Sequence, residues 1–262
     1  MNIFVINLSA ATERRQFQKQ QLFELGLDYE ILSAIAPDDI NSETYKKHYS
    51  DWQRPLRDTE VACYFSHRSA WQKIIKTNQP ALILEDDALL SKCVPELLKS
   101  FTHKKNVDFI NFEVAARKKF ISKIGQDTAC NSKLFRLYQD RTGAAGYILW
   151  PSGAKKLLQY EIENGIALAD AQIVSCNTLV CYQIEPAAII QLHQCTYYDV
   201  PTTQAKKLEV STVSQSNNSK AHSIFWIKRI SGQIKLGIRI LLLFKKSKRR
   251  YIKLNKESFY KK

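Results

Sequence analysis

No Cys-x-x-Cys pair occurs among the six cysteines (Cys63, Cys93, Cys130, Cys176, Cys181 and Cys195). That removes zinc-ribbon spacing, and six scattered thiols in 262 residues do not make a small disulfide scaffold. No fixed period recurs, which excludes solenoids and propellers. Apolar runs such as Ile240 to Phe244 fall far short of the roughly 20 residues needed to cross a bilayer. The opening Met1 to Leu8 lacks a basic n-region and reads as a strand, not an export signal. No nucleic-acid-binding motif is recognisable, so no nucleic acid partner is expected. These absences predict a cytoplasmic protein with reduced thiols. Hydrophobic residues at 45% and charged residues at 24% describe an ordinary folded chain.

The net charge of +14 is unevenly placed. Residues 219–262 carry fourteen Lys or Arg against one acid, Glu257, so nearly all of the excess lies there and the rest is close to neutral. Within that tail, Ile227, Ile230, Ile234, Ile238 and Leu241 recur at three- and four-residue steps. Lys228, Lys235, Arg239 and Lys246 occupy another face, and Phe225 and Trp226 add aromatic anchors. A basic amphipathic helix of this kind suits an anionic membrane interface; the competing arrangement packs the isoleucine face on the body. The polar stretch from Thr202 to Ser219 reads as a linker. The expected organisation is a catalytic domain over 1–199, a linker or loop over 200–219 and a membrane-associating tail over 220–262.

Upstream, apolar runs alternate with helical patterns. Strands are expected at Ile3 to Leu8, Asp28 to Ala36, Ala81 to Leu84, Val107 to Phe112, Gly143 to Trp150, Leu179 to Gln183 and Ala187 to Leu192. Helices are expected over Thr12 to Leu25, with Thr12 as N-cap and Gly26 as stop, over Thr59 to Lys76 and over Ser152 to Tyr160. A short helix falls within 37–58. This alternation predicts an α/β fold with a mostly parallel sheet. Ligands in such folds bind beyond the carboxyl ends of the strands.

One such end carries Glu85-Asp86-Asp87. Three adjoining carboxylates repel unless something neutralises them, and a hard divalent cation completed by diphosphate oxygens does so; a solvated acidic turn is the alternative. Ser66 and His67 lie one turn after Cys63, and His67 is a candidate to support a donor site or a satisfied core histidine. Arg14 and Arg15 could reach a base or a diphosphate, or face solvent. Asn7 could touch a nucleotide or merely finish its strand, and Gly143 allows close backbone approach.

Read together, these segments have a familiar order. Phe4-Val5-Ile6-Asn7-Leu8 and Arg14-Arg15 come first, then Glu60 to Trp71 containing Cys63-Tyr64-Phe65-Ser66-His67, then Ala81 to Asp87. Gly143 to Leu149, Gly153 to Leu158 and Ala169-Asp170 follow. The set resembles glycosyltransferase family 25, the lipooligosaccharide-biosynthesis transferases, over about residues 1–195. Thr59 departs from the pattern, standing where a glycine usually precedes the glutamate. The resemblance implies a GT-A type, Rossmann-like fold and a divalent metal, Mn2+ or Mg2+. It also implies inverting transfer of a hexose from a UDP-sugar, typically β-1,4-galactosyl transfer from UDP-galactose, to a lipooligosaccharide acceptor. Asp87 would ligate the metal, with Asp86 or Glu85 addressing ribose or a metal-bound water, and His193 would be a late ligand or merely a partly exposed strand-end histidine. Asp170 matches the family's later aspartate and would be the base that deprotonates the acceptor hydroxyl, or would cap its helix. For a lipid-linked acceptor, the inner face of the bacterial inner membrane is the expected address. Two other readings use the same residues: a metal-dependent nucleotidyltransferase or phosphoesterase, told apart by pyrophosphate or phosphate release, and a non-catalytic membrane-associated binding protein.

Overall fold

The computed structural model describes residues 1–140, 143–201 and 223–259. The expected linker therefore lies almost wholly outside the described residues, as do Lys220, Lys261 and Lys262 of the tail.

Strand β1 (Asn2–Asn7) is followed by helix α1 (Thr12–Glu24), β2 (Glu30–Ser33), α2 (Ser42–His48), α3 (Asp58–Thr77) and β3 (Ala81–Glu85). Next come β4 (Ala88–Leu90), α4 (Val94–Phe101), β5 (Phe109–Asn111) and β6 (Glu113–Val114). The chain continues through β7 (Lys119–Ser122), β8 (Gln126–Thr128), β9 (Ser132–Gln139), β10 (Gly146–Leu149), α5 (Pro151–Asn164) and α6 (Ala169–Ser175). It closes with β11 (Cys181–Glu185), β12 (Ile189–Gln191), α7 (Ser223–Leu243) and β13 (Ser247–Arg250).

The main sheet runs β13-β7-β9-β11-β5-β10-β3-β1-β2, with β8 beside β9, and a small sheet runs β4-β12-β6. Strands β2, β1 and β3 are mutually parallel, and β11 is parallel to β5. Antiparallel β10 sits between β3 and β5, so these five strands share one direction. The fold is thus the expected α/β class with a mixed sheet. Strands β7 to β9 add an antiparallel extension that the sequence reading lacked.

Burial on both faces explains the unbroken apolar runs. Along β1, Ile3 and Val5 join Leu22 of α1 and Leu97, Leu98 and Phe101 of α4 in one core. Phe4 and Ile6 point the other way, into a core with Val61, Trp71 and Ile74 of α3 and Leu157 of α5. Helix α1 begins at the expected residue, but Ala11, not Thr12, is its N-cap. Helix α3 is secured from within: the Glu60 carboxylate accepts the Arg57 backbone N–H at 3.0 Å. That carboxylate also pairs with the guanidinium groups of Arg54 and Arg57, which hold it down to about 2 despite its burial.

The basic C-terminal segment has two fates. Helix α7 leaves Ile227, Ile230, Ile234, Ile238 and Leu241 exposed while Phe225 is buried. The interval expected to continue this tail instead joins the body. β13 pairs antiparallel with β7, Arg250 forms an ion pair with Glu185, and Ile252 enters the core. Among the described residues no helix is long and apolar enough to cross a membrane.

Candidate active site

The register that aligns Ile6 with Glu85 brings the carboxyl ends of β1 and β3 side by side. Because β10 is antiparallel to β3, its amino end, preceded by Gly143 to Ala145, arrives at the same edge. β12 ends there at Gln191, and the one-turn helix Leu192–Gln194 follows. Together with α3 and the start of α6 these termini enclose a cavity of about 820 Å³. Arg14, Ser66, His67, Glu85, Asp86, Asp87, Gly143, Asp170 and His193 all line it. Asn7 and Arg15, the other two sequence candidates, are not among the lining residues.

The three acids have different surroundings. Asp86 is compensated: it accepts from Asn7 Nδ2 at 2.8 Å and from Arg14 at 3.1 Å. Asn7, expected as a nucleotide contact or a strand terminus, is a buried clamp on Asp86; its Oδ1 has no hydrogen-bond partner among the described residues. Asp87 forms no ion pair among the described residues, and the Arg14 charge and the Gln191 amide offset its burial only in part. Burial first, then repulsion from Glu85 and Asp86, pushes its carboxyl up to about 7. The Gln191 amide reaches across to Glu85 at 3.2 Å and to Asp87 at 3.4 Å, a neutral donor between two negative groups. Half-buried, undercompensated carboxylate oxygens such as those of Glu85 and Asp87 are the donor set of a hard divalent cation, so the residues present fit one.

His67 sits under Glu85. Trp71 Nε1 donates to the Tyr147 hydroxyl at 2.9 Å, leaving that hydroxyl free to donate to His67 Nδ1, also at 2.9 Å. This assigns the proton to Nε2, which donates to Glu85 at 3.3 Å. His67 is therefore a fully buried positioning residue for Glu85. Among the described residues Cys63, His67 and Glu85 place their ligand atoms within 4.8 Å of one another, a trio unlike the expected Asp87 and His193 pair. Burial raises the Cys63 thiol well above its ordinary value, so it stands there as a neutral thiol.

Ser66 uses its hydroxyl structurally, accepting from Ile35 N at 2.9 Å and donating to Ala62 O at 2.8 Å. His193 is exposed on the turn after β12, and the Leu192 N–H bonded to Asp87 O at 3.0 Å ties that turn to the triplet. Gly143 has φ +125°, and a Cβ there would lie 2.3 Å from Asn111 Nδ2, so a larger residue would be strained and would have to displace the Asn111 side chain. Asp170 is the second residue of α6, not its N-cap, and among the described residues its carboxylate accepts only from its neighbour Ala171 N at 2.7 Å. Burial, opposed by that hydrogen bond and reinforced by Glu85 and Asp140, raises it to about 6.

Sequence reasoning missed Glu113. Its carboxylate is buried, lines the cavity and accepts from Ala145 N at 3.1 Å; burial pushes it up to about 8. It lies on a two-residue strand without periodicity, so its only signal is an acid directly after the strand segment ending at Phe112. Gln191 was missed for a similar reason, as an amide at the end of an apolar strand.

The family model described as glycosyltransferase family 25 (LPS biosynthesis protein) matches residues 1–173. The lipooligosaccharide biosynthesis protein lic2B of Haemophilus influenzae is 24% identical over 214 residues, covering 75% of this chain and 78% of that protein. Procollagen galactosyltransferase 1-A of Xenopus laevis is 26% identical over 171 residues, covering 61% of this chain and 28% of its own length. Among solved structures, the inositol-1-phosphate CTP transferase of T. maritima aligns over 82% of this chain and 98% of that one, with a TM-score of 0.43 and 10% identity.

Proposed function

The chain belongs to glycosyltransferase family 25, and from that premise we propose that it moves a hexose, galactose first among them, from a UDP-sugar to a lipooligosaccharide acceptor. Transfer proceeds with inversion and with Mn2+, or Mg2+, as the working cation; β-1,4 is the linkage tested first. The observation that carries this reading is the meeting, in one cavity, of the undercompensated Glu85 and Asp87 pair with the isolated Asp170. The likeness to a lipooligosaccharide biosynthesis protein supports the acceptor class, and that to a procollagen galactosyltransferase supports galactose.

Asp87 would hold the cation with Glu85, and His193 is the further donor at hand. Bound there, the cation supplies charge neutralisation to the departing diphosphate. The remaining work falls to the chain. Arg14, fixed by Asp86, adds a positive charge beside the acids. Gly143 and the small residues Ala144 and Ala145 let backbone approach the donor closely. His67 and Gln191 hold Glu85 in place. Asp170, entering from a separate helix, takes the proton of the acceptor hydroxyl as that oxygen attacks the anomeric carbon. Helix α7, with an exposed isoleucine row and basic flanks, supports residence on the cytoplasmic, anionic face of the inner membrane.

Screening UDP-sugars with Mn2+ for UDP release, with and without acceptor, tests the proposal. Asp87→Asn should lower UDP release at least a hundredfold; undiminished release would remove the metal assignment. Release of pyrophosphate or inorganic phosphate instead of UDP would replace the transferase reading with nucleotidyl transfer or phosphoester hydrolysis.

A further inference from the structure

A second cavity, of about 630 Å³, abuts the first and shares Ala116 and Arg117 with it. Its lining carries three cations, Arg117, Lys118 and Arg249, all on exposed side chains. The one carboxylate present, Asp140, is already neutralised by the buried Lys119 ammonium. The net charge facing the trough is therefore positive. Two aromatic residues form part of the walls and steady the cations: Arg249 lies 5.6 Å from the Phe120 ring centroid and Lys118 lies 5.3 Å from that of Tyr251.

A second feature is independent of charge. Gln139 is 6% exposed and lines the same trough, yet its Oε1 has no hydrogen-bond partner among the described residues. A buried amide oxygen left unpaired costs free energy, and a ligand hydroxyl donating to it would remove that cost. Cations held by ring faces for anionic groups and an orphan acceptor for a hydroxyl make one consistent recognition surface.

We propose that this trough is the acceptor subsite, binding the phosphate- or carboxylate-bearing part of an anionic saccharide while its attacking hydroxyl reaches the neighbouring cavity. The inference rests on the glycosyl-transfer reading and adds the acceptor's charge and path to it. It also gives the C-terminal segment a catalytic use, because Arg249, Tyr251 and Ile240 close the trough from β13, the residue after it and α7. The same cations could instead meet lipid headgroups, and the experiment separates the two.

The test compares full-length protein with the double variant Lys118→Gln, Arg249→Gln, which leaves every residue of the first cavity intact. The probes are O-deacylated lipooligosaccharide with its phosphates, the same saccharide after dephosphorylation, and phosphatidylglycerol vesicles without acceptor. For the phosphorylated saccharide KM should rise about tenfold, with kcat, the dephosphorylated saccharide's KM and acceptor-independent UDP release unchanged. Gln139→Leu should raise KM for both saccharides. An unchanged KM for the phosphorylated saccharide overturns the proposal, and so does loss of vesicle binding alone. Calorimetric titration of the phosphorylated saccharide reads the subsite without turnover. If no UDP-sugar is consumed yet the double variant weakens this binding, the transferase reading fails and the subsite stands; if binding is unchanged as well, both fail.

Discussion

Asp170→Asn separates two consequences of one half-buried carboxylate. Its carboxyl is raised from 3.8 to about 6, chiefly by burial. A shift of that size corresponds to about 3 kcal/mol, reduced to about 2 kcal/mol because the side chain keeps some solvent contact. The folded state favours the neutral form, so this cost is absent below the unfolded value of 3.8 and is present in full above about 6. Asparagine keeps the oxygen that accepts from Ala171 N and removes the charge. The variant should therefore be about 2 kcal/mol more stable than the parent at pH 8 and equal to it near pH 3. At neutral pH its Tm should rise by several degrees. Transfer should fall by roughly 10² to 10⁴, the usual contribution of a general base. In the parent, kcat/KM should climb as pH rises through about 6, where the base ionises, and the variant should lose that limb. Denaturant unfolding at the two pH values, beside a pH–rate profile, reads both. A variant that transfers at the parental rate with the same acidic limb refutes the role; one that loses stability shows the aspartate to be structural.

Gly143→Ala forces a Cβ against Asn111 Nδ2 at a φ that alanine disfavours, and should cost about 2–4 kcal/mol by chemical denaturation. Glu60→Gln removes a carboxylate whose value is depressed to about 2 by Arg54 and Arg57. The parent's stabilisation from this group is present above 4.5 and fades as pH falls towards 2, so the variant should be about 2 kcal/mol weaker at pH 7 and similar near pH 2. Placing glutamate at both Ile230 and Ile234, on the exposed face of α7, should leave Tm within a degree or two. It should weaken sedimentation with phosphatidylglycerol vesicles severalfold; unchanged sedimentation would show that this face is not the contact.

The buried strands were legible because both of their faces are covered, so Ile3 to Ile6 and Ala81 to Leu84 are apolar without interruption. Helix α3 was legible from its apolar spacing, and the acidic triplet from its place directly after a strand. Strand β9 was not, because Ser132, Lys133, Arg136 and Gln139 break up its apolar residues, and its place in the main sheet rests on pairing with the distant β11 as well as with the adjoining β7 and β8. The amphipathic pattern of α7 was legible, but its exposure was not; burial depends on what lies beside a helix. By the same reasoning the basic residues 247–250 read as a tail, whereas β7 recruits them as an edge strand. Local sequence thus determined which residues carry charge, which can ligate and where the strands end. Tertiary structure decided which acid is compensated. Asn7 and Arg14 reach Asp86 across more than seventy residues, while the Asp87 carboxylate receives a hydrogen bond only from the neutral Gln191 amide among the described residues, a difference that no spacing among three adjoining carboxylates encodes.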